Sequence, residues 1–544
     1  MKKLIIIFAI IYITAWASAA SADSWAQQAK LTASDGAFMD QFGASVSISG
    51  DTLVIGARYD DGDQGSAYIF EKPMGGGWTD MTETAKLTAS DGASLDQFGV
   101  SVSISGDIVV IGARGSDSFR GAAYVYEKPV SGWVDMTETA KLTTSDSAAS
   151  QVFGSSVAIC GDTIVVGADG DTENGFKSGA AYVFEKPVGG WKDKTETAKL
   201  LASDGAAYDD FGASVTISGD TVIVGANGDD LTYPGQGSAY VFVKPVGGWV
   251  KMTETAKLTA SDGSASDYFG AFVAIDGNTV VIGSPGVDIT NEVTIYNVGR
   301  AYVFEKPLGG WVDMTETAKL NASDGDANSG FGAAVDISLD TVAIGAWGNN
   351  GYIGAVYIFE KSADSWTDMT EAAKLTASDG MAYDDFGYSV AISQETVIAG
   401  AHLDDDNGTS SGSAYVFATS GEQEPLPDIK ANGSDGPLTI TQLDTLIIEI
   451  ELYPGHYSGY PADWWVLADT SFGWYYYHLS SGWLPGQKVT YQGPLFDLSS
   501  LEVLNTSGLS TGNYIFYFGV DGKKDGKITY SSLYYDSVNV TIEP

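Results

Sequence analysis

The residues with the spacing to do chemistry in this chain are carboxylates. Three short runs place oxygens at close or alternate positions. They are Asp60, Asp61 and Asp63 in "RYDDGDQG", Asp169, Asp171 and Glu173 in "ADGDTENG", and Asp404, Asp405 and Asp406 in "LDDDNG". A hard cation such as calcium takes about six to eight oxygens, so these runs are the candidate calcium ligands. Asp229 and Asp230 form a shorter run of the same kind. A second acidic set sits in Ser-Asp-Gly and its variants, at Asp35, Asp91, Asp146, Asp204, Asp262, Asp324 and Asp379. A third follows a few residues on, at Asp40, Asp96, Asp209, Asp267 and Asp384. Aspartate in such a context is also a turn former, its side chain bonding nearby backbone. Both readings stand at this level: turn chemistry, or an acidic binding face.

Catalysis finds little support. The histidines are His402, His456 and His478, with no partner pattern around them. No nucleophile elbow, phosphate loop or zinc signature occurs. Paired carboxylates are so frequent that pairing cannot nominate a glycosidase dyad. The expectation is a protein that is not an enzyme.

Composition narrows the partners. The 544 residues carry 70 acidic against 28 basic side chains, a net charge of −42. That excludes the basic footprint of a nucleic-acid binder and disfavours docking on anionic lipid. Cys160 is the only cysteine, so no intrachain disulfide forms. It stands in "ICGDT", where other copies have "ISGDT". Residues 1–22 read as a secretory signal peptide, with Lys2 and Lys3 before an apolar stretch and then small residues. No later apolar run reaches transmembrane length. A secreted or cell-surface protein, monomeric and bacterial, is expected.

The elements that must position the acids come from an internal repeat. Phe-Gly recurs at Phe42, Phe98, Phe153, Phe211, Phe269, Phe331 and Phe386. After each comes an alternating strand (Ala44, Val46 and Ile48 against serines), a two-residue corner such as Gly50-Asp51, and an apolar central strand "TLVIGA". The acidic loop and a third strand, "GSAYIFEK", follow. A "KPMGGGW" turn then leads to a fourth strand holding Ala85, Lys86 and Leu87, whose polar residues suit an outer edge. Four antiparallel strands without helix make a propeller blade. The seventh copy lacks its fourth strand, and an orphan fourth strand precedes the first copy in "SWAQQAKLTASDG". The offset predicts an all-β, seven-bladed β-propeller over 23–418, in which the N-terminal strand closes the last blade. The seven phenylalanines should wedge between blades.

With Phe-Gly, the alternating strand, "VIGA" and "GSAYVF" in place, the copies resemble the FG-GAP repeat of the integrin alpha-subunit propeller. The Gly-Ala place is held by Gly56-Ala57, Gly112-Ala113, Gly167-Ala168, Gly225-Ala226, Gly345-Ala346 and Gly400-Ala401, and varied at Gly283-Ser284. The resemblance implies a ligand-facing side made by the loops between strands two and three and between blades. Several integrin blades carry a calcium loop between the first two strands. Here that junction is a two-residue corner with at most one carboxylate, so the integrin site does not carry over. The resemblance implies adhesion to an extracellular protein or glycan. The alternatives left open are a secreted carbohydrate-active enzyme or lectin, and a structural envelope protein.

Beyond a linker at 419–428, residues 429–544 change character. Short strand-like runs predict an immunoglobulin-like β-sandwich, with "GNYIFYFGVD" resembling a late strand whose tyrosine packs at a corner. Trp464, Trp465, Trp474, Tyr475, Tyr476, Tyr477 and Trp483 crowd this segment. They are read as core first, with a sugar platform as the alternative. "DGKKDGK", from Asp521, reads as a turn.

Overall fold

The computed structural model describes residues 25–544 apart from 74–76, 147–149, 291–293, 362–364, 420–424, 435, 455–460, 497, 523–526 and 528–532. The predicted leader, His456 and most of "DGKKDGK" lie outside the described residues. The chain divides into two units, Met1–Ser420 and Gly421–Pro544.

The first unit is the seven-bladed propeller. Blade one is Phe42–Ser49, Thr52–Ala57, Ser66–Glu71 and Ala85–Leu87, paired in that order and antiparallel throughout. Blade seven is Ser389–Ser393, Thr396–Ala401 and Ser413–Thr419, completed by Trp25–Leu31. The orphan strand therefore closes the ring, pairing Ala29 with Val416 and Leu31 with Ala414.

Phe-Gly earns its place by packing. Phe42 is fully buried among Leu53, Tyr68 and Phe70 of its own blade and Ile398 and Val416 of blade seven. Burying each such ring stabilises by on the order of 2–3 kcal/mol. Gly43 takes φ +88°, and a Cβ there would lie 2.4 Å from the Ser413 carbonyl of the neighbouring blade. The inner strands are also tied across junctions. Ser45 Oγ donates to the Gly99 carbonyl at 2.8 Å, and Ser389 Oγ donates to the Gly43 carbonyl at 2.8 Å. Ring closure uses the same bond as the junctions made by Ser45, Ser101, Ser156 and Ser214, while blades five and six carry Phe272 and Ala334 at this position.

The corner at Gly50-Asp51 is a hairpin turn. Gly50 has φ +56° while Asp51 does not enter positive φ, the pattern of a type II′ turn. Asp51 lies 3.5 Å from Lys72 and is solvent-exposed. This face holds the seven corners.

The fourth strand is not the free edge that the sequence suggested. The segment after each Trp turn lies parallel to the fourth strand of the preceding copy, as Leu200 with Met252 and Leu258 with Met314. Its acids fasten the loop beyond. Ser34 donates through its N–H to Glu83 Oε2 at 2.9 Å and through its hydroxyl to Oε1 at 2.6 Å. The same pair recurs at Ser90–Glu138, Ser145–Glu196, Ser203–Glu254, Ser261–Glu316 and Ser323–Glu371. At the closing junction the Ser378 N–H is accepted by Gln27, which holds the Glu position of the orphan strand.

The second unit has a three-stranded sheet, Leu426–Ala431, Leu446–Tyr453 and Leu498–Thr506, and a larger seven-stranded one. Ile429, Ile448 and Ile450 from the first share a core with Trp464, Val466, Phe516, Phe518 and Val540 from the second. Leu438–Thr441 runs parallel to the last strand. The Tyr514 hydroxyl donates to the Ser510 carbonyl at 2.9 Å, a tyrosine corner. Trp464, Trp465 and Tyr476 are buried, and Trp474, Tyr475, Tyr477 and Trp483 pack partly buried against them. Both ends of the predicted linker are strand, at Thr419 and from Leu426.

Candidate functional site

On the face opposite the hairpin corners, the loops between strands two and three meet the loops between blades. The fourth-strand lysine is drawn into this acid-rich rim. In blade one, Lys86 Nζ lies 2.6 Å from Asp35, 2.7 Å from Asp60 and 3.1 Å from Asp61. The Tyr68 hydroxyl contacts both Asp35 and Asp60 at 2.9 Å. Blade three repeats the cluster with Lys199 at 2.6 Å from Asp146, 2.9 Å from Asp171 and 3.0 Å from Glu173. In blade seven, Lys30 meets Asp379 at 2.8 Å, Asp404 at 3.1 Å and also Asp406. Lys257 pairs with Asp204 and Asp229, Lys141 with Asp91, and Lys374 with Asp324. Blade five sets both Arg300 and Lys319 on Asp262.

The three runs that spacing offers to calcium are thus built around an ammonium group. Asp60, Asp61, Asp171, Glu173, Asp404 and Asp406 gather on lysine. Asp63 sits at φ +67°, Asp405 accepts the Ser410 N–H at 2.7 Å, and Asp169 Oδ1 is buried without a partner. Among the described residues no group of three or more His, Cys, Asp or Glu side chains is disposed to hold a metal ion.

The Ser-Asp-Gly aspartates do more than form turns. Burial pushes the carboxyls of Asp35, Asp146 and Asp379 up, but hydrogen bonds from lysine and tyrosine outweigh it and hold them below the ordinary range. Burial likewise opposes charge on Lys86 and Lys199, and their carboxylate partners win, raising both. The third acidic set is different. Asp40, Asp209 and Asp267 each accept a backbone N–H three residues earlier, from Ala37, Ala206 and Ser264. Burial pushes Asp209 and Asp267 up to about 6.

At the inner rim the copies diverge. The two residues flanking the third acid, or Gln151 and Ser329 in its place in blades three and six, sit in the left-handed region in every blade. The pairs are Met39 and Gln41, Leu95 and Gln97, Ser150 and Val152, Tyr208 and Asp210, Ser266 and Tyr268, Asn328 and Gly330, and Tyr383 and Asp385. Their φ values run from +49° at Val152 to +74° at Leu95 and Tyr383. A residue with a Cβ costs roughly 1–2 kcal/mol there, yet only Gly330 is glycine. Opposite the second member of each pair stands the residue after Gly-Ala: Arg58, Arg114, Asp169, Asn227, Pro285, Trp347 and His402.

These side chains form distinct arcs. Arg58 Nε donates to Gln41 at 2.9 Å and Arg114 Nε to Gln97 at 2.6 Å. Arg58 lies 5.2 Å from the Tyr59 ring and 5.8 Å from the Tyr388 ring. Tyr388 and His402 have ring centroids 3.9 Å apart. Burial and then Arg58 push His402 down to about 3, so it is neutral, and its Nδ1 is buried without a partner. Farther round, Trp347, Tyr352 and Tyr383 follow one another at 5.6 Å centroid spacing, and Tyr383 is exposed. Asp169, Asp210 and Asn227 each carry a buried side-chain oxygen without a partner. Sequence reasoning passed over this rim and found no partner pattern around His402. The signal was there: aligned on Phe-Gly, these are the positions at which the copies disagree.

Raised carboxyls set a pH dependence, and the four that rise furthest dominate it. Burial pushes Asp385 up to about 7, and Asp384 adds to it. Burial also pushes Asp336 up to about 7, although it accepts N–H bonds from Ile337 and Ile392 at 2.9 and 2.8 Å. With Asp209 and Asp267, these groups bind protons in the folded chain at pH values where an unfolded carboxyl near 4 is ionised. The folded state then holds more protons, so stability falls as pH rises from about 4 through 7. Melting temperature is expected to be higher at pH 5 than at pH 8. Asp336→Ser restores the residue found at Ser47 and Ser103, whose hydroxyls accept the corresponding N–H bonds at 3.2 Å. It should raise the pH 8 value and leave the pH 5 value less changed. A flat profile in differential scanning calorimetry would refute this.

Comparison with protein families finds the FG-GAP repeat at residues 25–70, 81–126, 136–184, 194–242, 252–304, 314–359 and 369–417. A search of curated proteins returns no match. Among the described residues no helix is long and apolar enough to cross a membrane. Seven matched copies, covering more than half the chain and coinciding with seven blades around a closed ring, place the protein in the FG-GAP repeat family.

Proposed function

We propose that this chain is a secreted or cell-surface binding protein of the adhesion type. Its propeller would present the inner rim and surrounding loop face to an extracellular protein or glycan. The observation that carries the reading is the rim itself. Thirteen of its fourteen left-handed flanking positions bear a side chain where glycine would be less strained, and the residue types change from blade to blade. The left-handed backbone repeats in all seven blades, whereas the side chains carried on it do not, and that variation on a strained loop supports a binding role. Family membership supports the same reading, because FG-GAP repeats occur in integrin-like adhesion and binding proteins. The apolar leader at 1–22 supports export. The tyrosine corner supports an immunoglobulin-like second module.

This reading assigns no catalytic role: the neutral His402 lies tilted against Tyr388, with ring centroids 3.9 Å apart. The test is a panel of glycans and extracellular proteins probed with the intact chain. A second probe carries Trp347→Ala with Tyr383→Ala, and a third carries Lys72→Ala on the corner face. The expected ligand is lost by the rim variant and kept by the corner variant. Equal binding by both would refute the assignment, and turnover of a polysaccharide would favour the carbohydrate-active alternative.

A further inference from the structure

Resting on that reading, we propose that Arg58 and Arg114 form a carboxylate-recognition pair for a uronate-bearing polysaccharide. The chain has four arginines. Arg120 is paired with Asp117 and Arg300 with Asp262. Arg58 and Arg114 have no carboxylate within ion-pair distance among the described residues, in a protein with 70 acids. The fourth-strand lysines just outside them are all locked on acids. Two cations left without counter-charge on such a surface call for an external anion.

Their preparation is specific. Each guanidinium gives its Nε–H to a glutamine, at 2.9 Å for Arg58 and 2.6 Å for Arg114. That leaves the two terminal nitrogens, the edge that takes a carboxylate in a bidentate fork. The left-handed φ at the glutamine position is common to all seven blades, but only blades one and two carry glutamine there, each facing an arginine. The arrangement stands on two successive blades, so it offers two forks in sequence.

The neighbouring arc selects the class of anion. Arg58 lies over the ring of Tyr388, which packs at a tilt against His402. The Trp347–Tyr352–Tyr383 series continues on the adjoining blades, six and seven. Aromatic faces beside a carboxylate fork fit a ring with an apolar face and one carboxylate, as a uronic acid has. The net charge of −42 repels polyanions in general, so the anion must be held by the forks themselves, and a uronate presents one carboxylate to each.

The experiment is calorimetric titration of the intact chain with an oligogalacturonate. A neutral galactose oligomer of equal length and oligoglutamate serve as comparisons. Binding to the uronate is expected, with the neutral oligomer at least tenfold weaker. Arg58→Gln and Arg114→Gln should each weaken it at least tenfold while leaving the melting temperature unchanged. Arg58→Lys, which keeps the charge but loses the fork, should recover only part of the loss. Uronate binding that survives both glutamine variants overturns the proposal, as does equal binding of oligoglutamate. If no oligomer binds, yet a ligand from the panel above is lost by the rim variant, the uronate assignment fails and the binding function stands. If nothing binds the rim, both fail.

Discussion

A chain that begins after Leu31 will not hold its ring closed. The strand Trp25–Leu31 buries Ala29 and Leu31, supplies six pairings to Ser413–Thr419, and carries Lys30 to Asp379 and Asp404. Removing it exposes the edge of blade seven and strands Asp404, which is only 4% exposed, without its cation. Burial of the apolar side chains and loss of the ion pairs together amount to about 5–8 kcal/mol. That is comparable with the whole stability of a typical domain. The truncated propeller is expected to lose its cooperative melting transition or to aggregate, with a synthetic Trp25–Ser34 peptide restoring the transition in part. A truncated chain that melts within a few degrees of the full one would show that the ring does not depend on this strand.

Replacing the blade-three lysine gives the second large effect. Lys199→Met leaves Asp171, 2% exposed, facing Asp146 and Glu173 with no cation between them. Breaking a buried pair from one side costs about 3–5 kcal/mol. The same change frees Asp146 and Asp171 beside Glu173, which keeps its pairing to Lys251. Calcium is therefore expected to raise the melting temperature of the variant by more than it raises that of the wild type. Thermal melts in chelator and in millimolar calcium check both parts. A variant as stable as the wild type in chelator would remove the lysine from its structural role.

The two predictions draw on different kinds of sequence information. Ring closure was legible because it is a matter of counting: one strand too few at Phe417 and one too many at Trp25. The wedge role of Phe42 was legible from its place at the head of an inner strand. The lysine cluster was not. Lys86 alternates with Ala85 and Leu87, which locally marks an outward-facing edge residue. Its destination depends on Asp35 and Asp60, brought in by two other loops. The same limit hid Glu83, whose partner Ser34 lies 49 residues away on the preceding copy. The rim escaped because repeat reading looks for what the copies share. Arg58, Trp347 and His402 stand at a position defined by their disagreement.

The closing strand also sets a timetable. It is the first described element to leave the ribosome, and its partner Ser413–Thr419 is the last strand of the ring to be made. Lys30 and Asp379 are 349 residues apart in the chain. At synthesis rates of about 5–20 residues per second, the strand spends roughly 20–80 s without a partner. Throughout that interval it is an unpaired edge, open to pairing with another chain. A nascent chain interrupted anywhere before Thr419 likewise keeps an open ring and an exposed edge. Proteases and chaperones can read that edge as the mark of an unfinished molecule.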